Sequence, residues 1–200
     1  MFEVRLAIVV VGGSAKDVGK TGLVCGLIAA LREYAWTAVK ITGHDYGAAD
    51  PALNEDGYPY KTICEQTEPG PETDTARYLA AGARRALLVT RHGSELPTRD
   101  IRLALADDRN VIFESNRIVA AFRPDVCLAL VGGPTGEVKG SFRRLLGVAD
   151  ALLIVKGAAV IPEAPAGILR FSLQSPNLVP TEVEKWLRER LAAPRSYGRN

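Results

Sequence analysis

Gly19-Lys20-Thr21 closes a ten-residue stretch, Gly13-Ser14-Ala15-Lys16-Asp17-Val18-Gly19-Lys20-Thr21-Gly22, that lies between two apolar runs. A glycine-rich turn leading from a strand into a helix aims backbone N–H groups and the helix N-terminus at one point, which is how a protein cradles phosphate. Lys20 then supplies a point charge for the terminal phosphates, and the Thr21 hydroxyl an oxygen ligand for Mg²⁺. The usual spacing of such loops puts four residues between the two glycines and would need glycine at 14, where this chain has Ser14. Gly13 instead fits a loop one residue longer. The alternative is a tight turn with a solvated lysine, but glycines on both sides, a strand before and a helix after favour the phosphate loop. Lys16 is either a solvated side chain or an extra phosphate contact.

Other residues are candidates to join it. Glu114 follows the apolar run of "NVIFE" and should emerge at the sheet edge where open α/β sheets gather ligands. It reads as a metal-linked acid acting through water, or else as the start of a turn with Ser115 and Asn116. Lys40 and His44 fall at the carboxyl end of a second strand. Asp45 and Asp50 are metal or water-activating candidates, or merely solvated. Cys64, Glu65 and His44 contain metal-ligand types, but no paired spacing supports a site. Cys25 and Cys127 read as core residues. Tyr58, Pro59 and Tyr60 either form a partner or substrate surface or pack their own loop. Lys156, at the end of a late strand, would stack on a base or stand exposed; the Asn-Lys-x-Asp string that reads guanine is missing there.

Short β-branched runs alternate with helical patterns, which predicts βαβ units and an α/β fold: a mostly parallel sheet covered by helices on both faces. Strands are expected at Leu6–Val11, Trp36–Thr42, Ala86–Val89, Val111–Phe113, Val126–Val131 and Ala151–Val155, with a further edge at Ile168–Ser172. Helices are expected at Thr21–Tyr34, Thr73–Ala81, Thr98–Ala106 and Glu182–Leu191, the last capped by Thr181 with Glu184 three residues on. Residues 43–72 interrupt the alternation and read as a long functional loop or insertion that closes over the nucleotide or a second substrate.

Composition restricts the function classes. The chain has 200 residues, 47% hydrophobic and 24% charged, enough to bury a core, and one domain spanning 1–200 is the expectation. A net charge of +2 without a basic run gives no general reason to bind nucleic acid or a membrane surface. Three cysteines without Cys-x-x-Cys spacing, and a start that enters a strand pattern through Glu3 and Arg5, predict a reduced, cytoplasmic protein.

The phosphate loop, "AVKITGHDYG" and "DTARYLAAGARRALLV" together resemble the adaptor proteins of molybdopterin-guanine dinucleotide biosynthesis, the MobB family. There a P-loop is followed by a strand ending in Lys and His, then by an Asp-Ser/Thr-x-Arg helix ending in Ala-Gly-Ala. The resemblance covers about the first 130 residues and implies a P-loop nucleoside triphosphate hydrolase fold. It also implies GTP binding with Mg²⁺, slow NTP hydrolysis, a cofactor-biosynthesis partner enzyme and a homodimer. Lys20 and Thr21 carry over as nucleotide and Mg²⁺ contacts, and Lys40, His44, Asp74 and Arg77 as matching motif positions. A second resemblance, of "GSAKDVGKT" and Lys40 to dethiobiotin synthetases, implies instead an ATP-dependent ligase or small-molecule kinase acting on a small anionic substrate.

Overall fold

A computed structural model describes residues 7–43, 62–91, 95–133 and 138–193. Along the chain run β1 (Ala7–Gly13), α1 (Lys20–Ala30), β2 (Thr37–Gly43), β3 (Ile63–Gln66), α2 (Asp74–Ala80), β4 (Arg85–Arg91), α3 (Thr98–Ala104), β5 (Asn110–Glu114), β6 (Val126–Val131), α4 (Gly140–Leu146), β7 (Ala151–Val155), β8 (Leu169–Leu173) and α5 (Thr181–Ala192). The strands form one sheet in the order β3-β4-β2-β5-β1-β6-β7-β8, parallel except for β3, which pairs antiparallel with β4.

The apolar runs explain the centre of that order. All seven residues of β1 and all six of β6 are buried, as expected for parallel strands covered on both faces. Alternate side chains divide between two cores. Val9, Val11, Ile112 and Leu128 pack under α1, α2 and α5 with Leu23, Leu27, Tyr78 and Leu187. Val10, Phe113, Cys127 and Ala129 pack on the other side with Ile101 of α3 and Phe142 and Leu145 of α4. At the amino-terminal edge of the sheet, one Asp108 oxygen accepts from Thr37 at 2.6 Å and meets Arg84, and the other pairs with Arg85 at 2.7 Å. This ties β2, β4 and the entry to β5 together far from the opposite, ligand-gathering edge.

Several boundaries differ from the sequence expectation. The first helix ends at Ala30, and a separate 3₁₀ turn at Arg32–Tyr34 carries the chain onward. Residues 43–72 are not wholly loop, because Ile63–Gln66 adds the antiparallel edge strand to the sheet. Helix α4 is an element the sequence reading lacks. Thr181 does not cap α5: Pro180, fixed at φ −64°, leads straight into the helix with Thr181 as its first residue, and no side chain caps the end. Glu184 pairs instead with Arg188 one turn on. Leu6, His44, Asp45, Asp50, Tyr58, Pro59 and Tyr60 lie outside the described residues.

Candidate functional site

The loop between β1 and α1 is shaped by its smallest residues. A Cβ at Gly12 would stand 2.3 Å from a Leu145 methyl, and one at Gly13 2.5 Å from Val18. Asp17 at φ 58° and Gly19 at φ 97° both lie in the left-handed region and turn the chain back toward the helix. Val18, between them, is buried in the core and anchors the loop, while Lys16 and Asp17 are exposed. Ser14 is also buried: its N–H donates to the Leu130 carbonyl at 2.9 Å, and its carbonyl accepts from Lys139 N–H at 3.2 Å. Gly19 is the residue before the first turn of α1, so the free N–H groups of that turn open onto the loop. The Lys20 ammonium folds back over it to the Ala15 carbonyl at 3.0 Å.

The parallel register of β2 and β5 sets Lys40 beside Glu114, on the face covered by α1 and α2. Glu114 is 2% exposed. Its Oε2 accepts from Thr21 Oγ1 at 2.8 Å and from the Tyr78 hydroxyl, and its Oε1 from Lys40 Nζ. Lys40 Nζ also pairs with Asp74 Oδ2 at 2.7 Å. Burial pulls the Lys40 ammonium down, but Glu114 and Asp74 outweigh it and hold its pKa above the ordinary lysine value. Burial pushes Asp74 up, but the Lys40 hydrogen bond and charge bring it below the usual carboxylate range. The Tyr78 phenol is pushed far up by its burial and by Glu114, so it remains a donor. Burial lowers Lys20 more than the facing Glu114 raises it.

Lys20, Lys40, Arg117 and Lys139 converge on a cavity of about 170 Å³ that Ala15, Glu114, Asn116 and Ser141 also line. With Lys40 committed to Glu114 and Asp74, Lys20, Arg117 and Lys139 still make this an anion-favouring hollow at the mouth of the loop. A second cavity of about 300 Å³ lies on the other side of Lys40 and Thr42, bounded by β3, β4 and the start of α2. For a metal, the donors at the loop are the hard oxygens of Thr21 and Glu114, which suit Mg²⁺. Both Glu114 oxygens already accept hydrogen bonds, a disposition that suits contact through metal-bound water.

Gly13 to Gly22, Lys20, Thr21, Lys40, Glu114 and Asp74 are thus brought together. Arg77 stands 3.8 Å from Asp74 on the exposed side of α2. Cys25 is half-buried and Cys127 buried. Cys64 lines the second cavity, and Glu65 beside it is paired with Arg85 at 2.9 Å. Among the described residues, no group of three or more His, Cys, Asp or Glu could hold a metal. Lys156 is exposed just beyond β7, with its N–H on the Leu173 carbonyl at 2.8 Å. Sequence reasoning missed Tyr78, Asn116, Arg117 and Lys139. Tyr78 had one available signal, its position four residues after Asp74 on the same face of α2.

No family model matches the chain, and no curated protein matches it. A solved structure that is similar is the "apo" form of LpxK from Aquifex aeolicus in complex with ATP, at TM-score 0.50 and 18% identity, over 84% of this chain and 53% of that one. The chain therefore spans about half the length of that protein. Among the described residues, no helix is long and apolar enough to cross a membrane. The parallel sheet, the glycine loop entering α1 and this likeness give the chain the α/β fold of the P-loop nucleoside triphosphate hydrolases.

Proposed function

We propose that the protein binds a nucleoside triphosphate with Mg²⁺ on the Gly13–Gly22 loop and acts on the terminal phosphate. The observation that carries this reading is the 2.8 Å hydrogen bond from Thr21 to Glu114, which joins the first turn of the loop helix to the end of the strand beside β1. Lys20 and the N-terminus of α1 meet the β- and γ-phosphates, and Lys139 and Arg117 add positive charge around them. Thr21 and, through water, Glu114 hold the Mg²⁺, whose charge neutralises the phosphate oxygens when it is bound. Lys40 pairs with Glu114 and holds it in place.

The resemblance to the molybdopterin-guanine dinucleotide adaptors supports a GTP-binding adaptor with slow NTP hydrolysis, working as a homodimer with a cofactor-biosynthesis enzyme. A second reading, an ATP-dependent ligase or small-molecule kinase like the dethiobiotin synthetases, is favoured by the second cavity beside Lys40. Calorimetry with GTP and ATP, with and without Mg²⁺, followed by turnover with diaminopelargonate and bicarbonate, separates them. Tight GTP binding without turnover supports the adaptor, and product formation the synthetase. A folded protein that binds neither nucleotide overturns both.

A further inference from the structure

The two cavities that share Lys40 and Thr42 as a wall differ in electrostatic character. The loop cavity has Lys20, Arg117 and Lys139 beyond the Lys40–Glu114 pair. In the larger one, the Lys40 ammonium is already matched by Glu114 and by Asp74 at 2.7 Å. Glu65 adds a further carboxylate to that wall, and its partner Arg85 does not line the cavity. The rest of the lining is Thr42, Thr73, Thr75, Cys64 and Gln66 over an apolar floor at Leu88. Asp74 is met by Lys40 and Arg77 and Glu65 by Arg85, so an incoming anion would find no uncommitted cation among the described lining residues. A hydroxylated or amine-bearing molecule would meet acceptors, donors and an apolar face, and about 300 Å³ is the size of a small-molecule site.

We propose that this larger cavity is the acceptor site for a neutral or cationic small molecule carrying a hydroxyl or amine, with Asp74 as its proton acceptor. The inference rests on the nucleotide reading above and adds the class of second substrate. The acceptor's oxygen or nitrogen forms a bond to the terminal phosphorus of the nucleoside triphosphate. The bond from that phosphorus to the bridging oxygen breaks, its electron pair leaves with the nucleoside diphosphate, and the acceptor's proton passes to the Asp74 carboxylate. Lys40, between Asp74 and Glu114, is the positioning residue that spans the two cavities. The charge balance favours this class over the anionic substrate implied by the dethiobiotin resemblance.

The test is ligand-detected NMR on the full chain with ethanolamine, glucosamine and ribose, and with gluconate as the anionic counterpart. At least one of the first three binds, and gluconate binds at least tenfold more weakly. Leu88→Trp and Gln66→Trp, which fill the cavity from two different strands, weaken that binding at least tenfold while nucleotide affinity stays within twofold. Absence of binding by all three, equal binding of gluconate, or unchanged binding in both filled variants overturns the site. Phosphate transfer to the bound probe, followed by ³¹P NMR, falls at least a hundredfold in Asp74→Asn. A probe that binds but never receives phosphate overturns the acceptor role, and unchanged transfer in Asp74→Asn overturns the proton-acceptor role. Probe binding needs no nucleotide, so a protein that binds a probe but no triphosphate fails the earlier reading and not this one.

Discussion

Asn116 makes a two-way hydrogen bond with Gly13: its Oδ1 accepts the Gly13 N–H at 2.7 Å, and its Nδ2 donates to the Gly13 carbonyl at 2.9 Å. One amide side chain thereby satisfies both backbone groups of the residue where β1 gives way to the phosphate loop. Asn116→Ala leaves both without a protein partner and should cost about 2 kcal/mol of stability. Urea denaturation measures that loss. Asn116→Asp keeps the acceptor and loses the donor, so its loss should be smaller in the same experiment.

Lys20→Ala should abolish triphosphate binding without unfolding the protein. The ammonium leaves a loop that contributes little core volume, and among the described residues its hydrogen bond is to Ala15 of the same loop. Calorimetry gives the affinity and circular dichroism the fold; unchanged affinity in a folded variant contradicts the role of the loop.

Thr21→Ala should weaken nucleotide binding chiefly in the presence of Mg²⁺, because the hydroxyl is the metal's oxygen ligand in the proposed site. Titrations with Mg²⁺ and with EDTA separate the two cases. Equal losses in both would give the hydroxyl another task.

Lys40→Met should be much more damaging to the fold than its surface position suggests. Its side chain is 19% exposed, but it is the cation on a Glu114 carboxylate that is 2% exposed. Removing one member of such a pair strands the other charge, at about 3–5 kcal/mol. The double variant Lys40→Met, Glu114→Gln should recover most of that loss in thermal melts, although not nucleotide binding.

Alkaline titration should remove nucleotide binding before it removes the fold. Burial holds the Lys20 pKa below 10.5 in the free loop, more than Glu114 lifts it, and a bound phosphate favours its protonated form. As pH rises through that lowered value, the free loop sheds its proton, affinity falls and binding takes up a proton. Lys40 is shifted the other way, because Glu114 and Asp74 outweigh its burial and hold it above 10.5. Its contribution to stability is complete below the unfolded value and is lost only as pH climbs through the raised one. Calorimetry at a series of alkaline pH values in buffers of different ionisation enthalpy detects the proton uptake, and circular dichroism over the same range follows the fold.

What the sequence revealed and what it hid have physical reasons. Val9–Val11 and Val126–Val131 announce themselves because a strand covered on both faces is apolar at every position. The Lys20, Thr21 and Glu114 constellation follows once the strands are placed, since the carboxyl ends of parallel strands share an edge. Ile63–Gln66 was hidden because it is four residues long, half-exposed and flanked by loop-forming residues, so tertiary pairing with β4 makes it a strand. Helix α4 begins at a glycine with no side-chain cap, and nothing local announces it. Tyr78 and Asn116 look like core filling and a turn former. Their hydrogen bonds to Glu114 and Gly13 give them a place at the site.

A Cβ on Gly19 would meet Pro176 at 2.3 Å, and one on Gly26 would meet the Asn177 carbonyl at 2.9 Å. The segment that leaves β8 is therefore laid directly against the loop and the helix that follows it, more than 150 positions away in the chain. Only glycine leaves room at position 19 for Pro176 to lie this close. A version of the protein cut after β7 would keep every residue of the glycine motif and lose the wall behind it. The surroundings of the motif are thus built from two segments far apart in the chain.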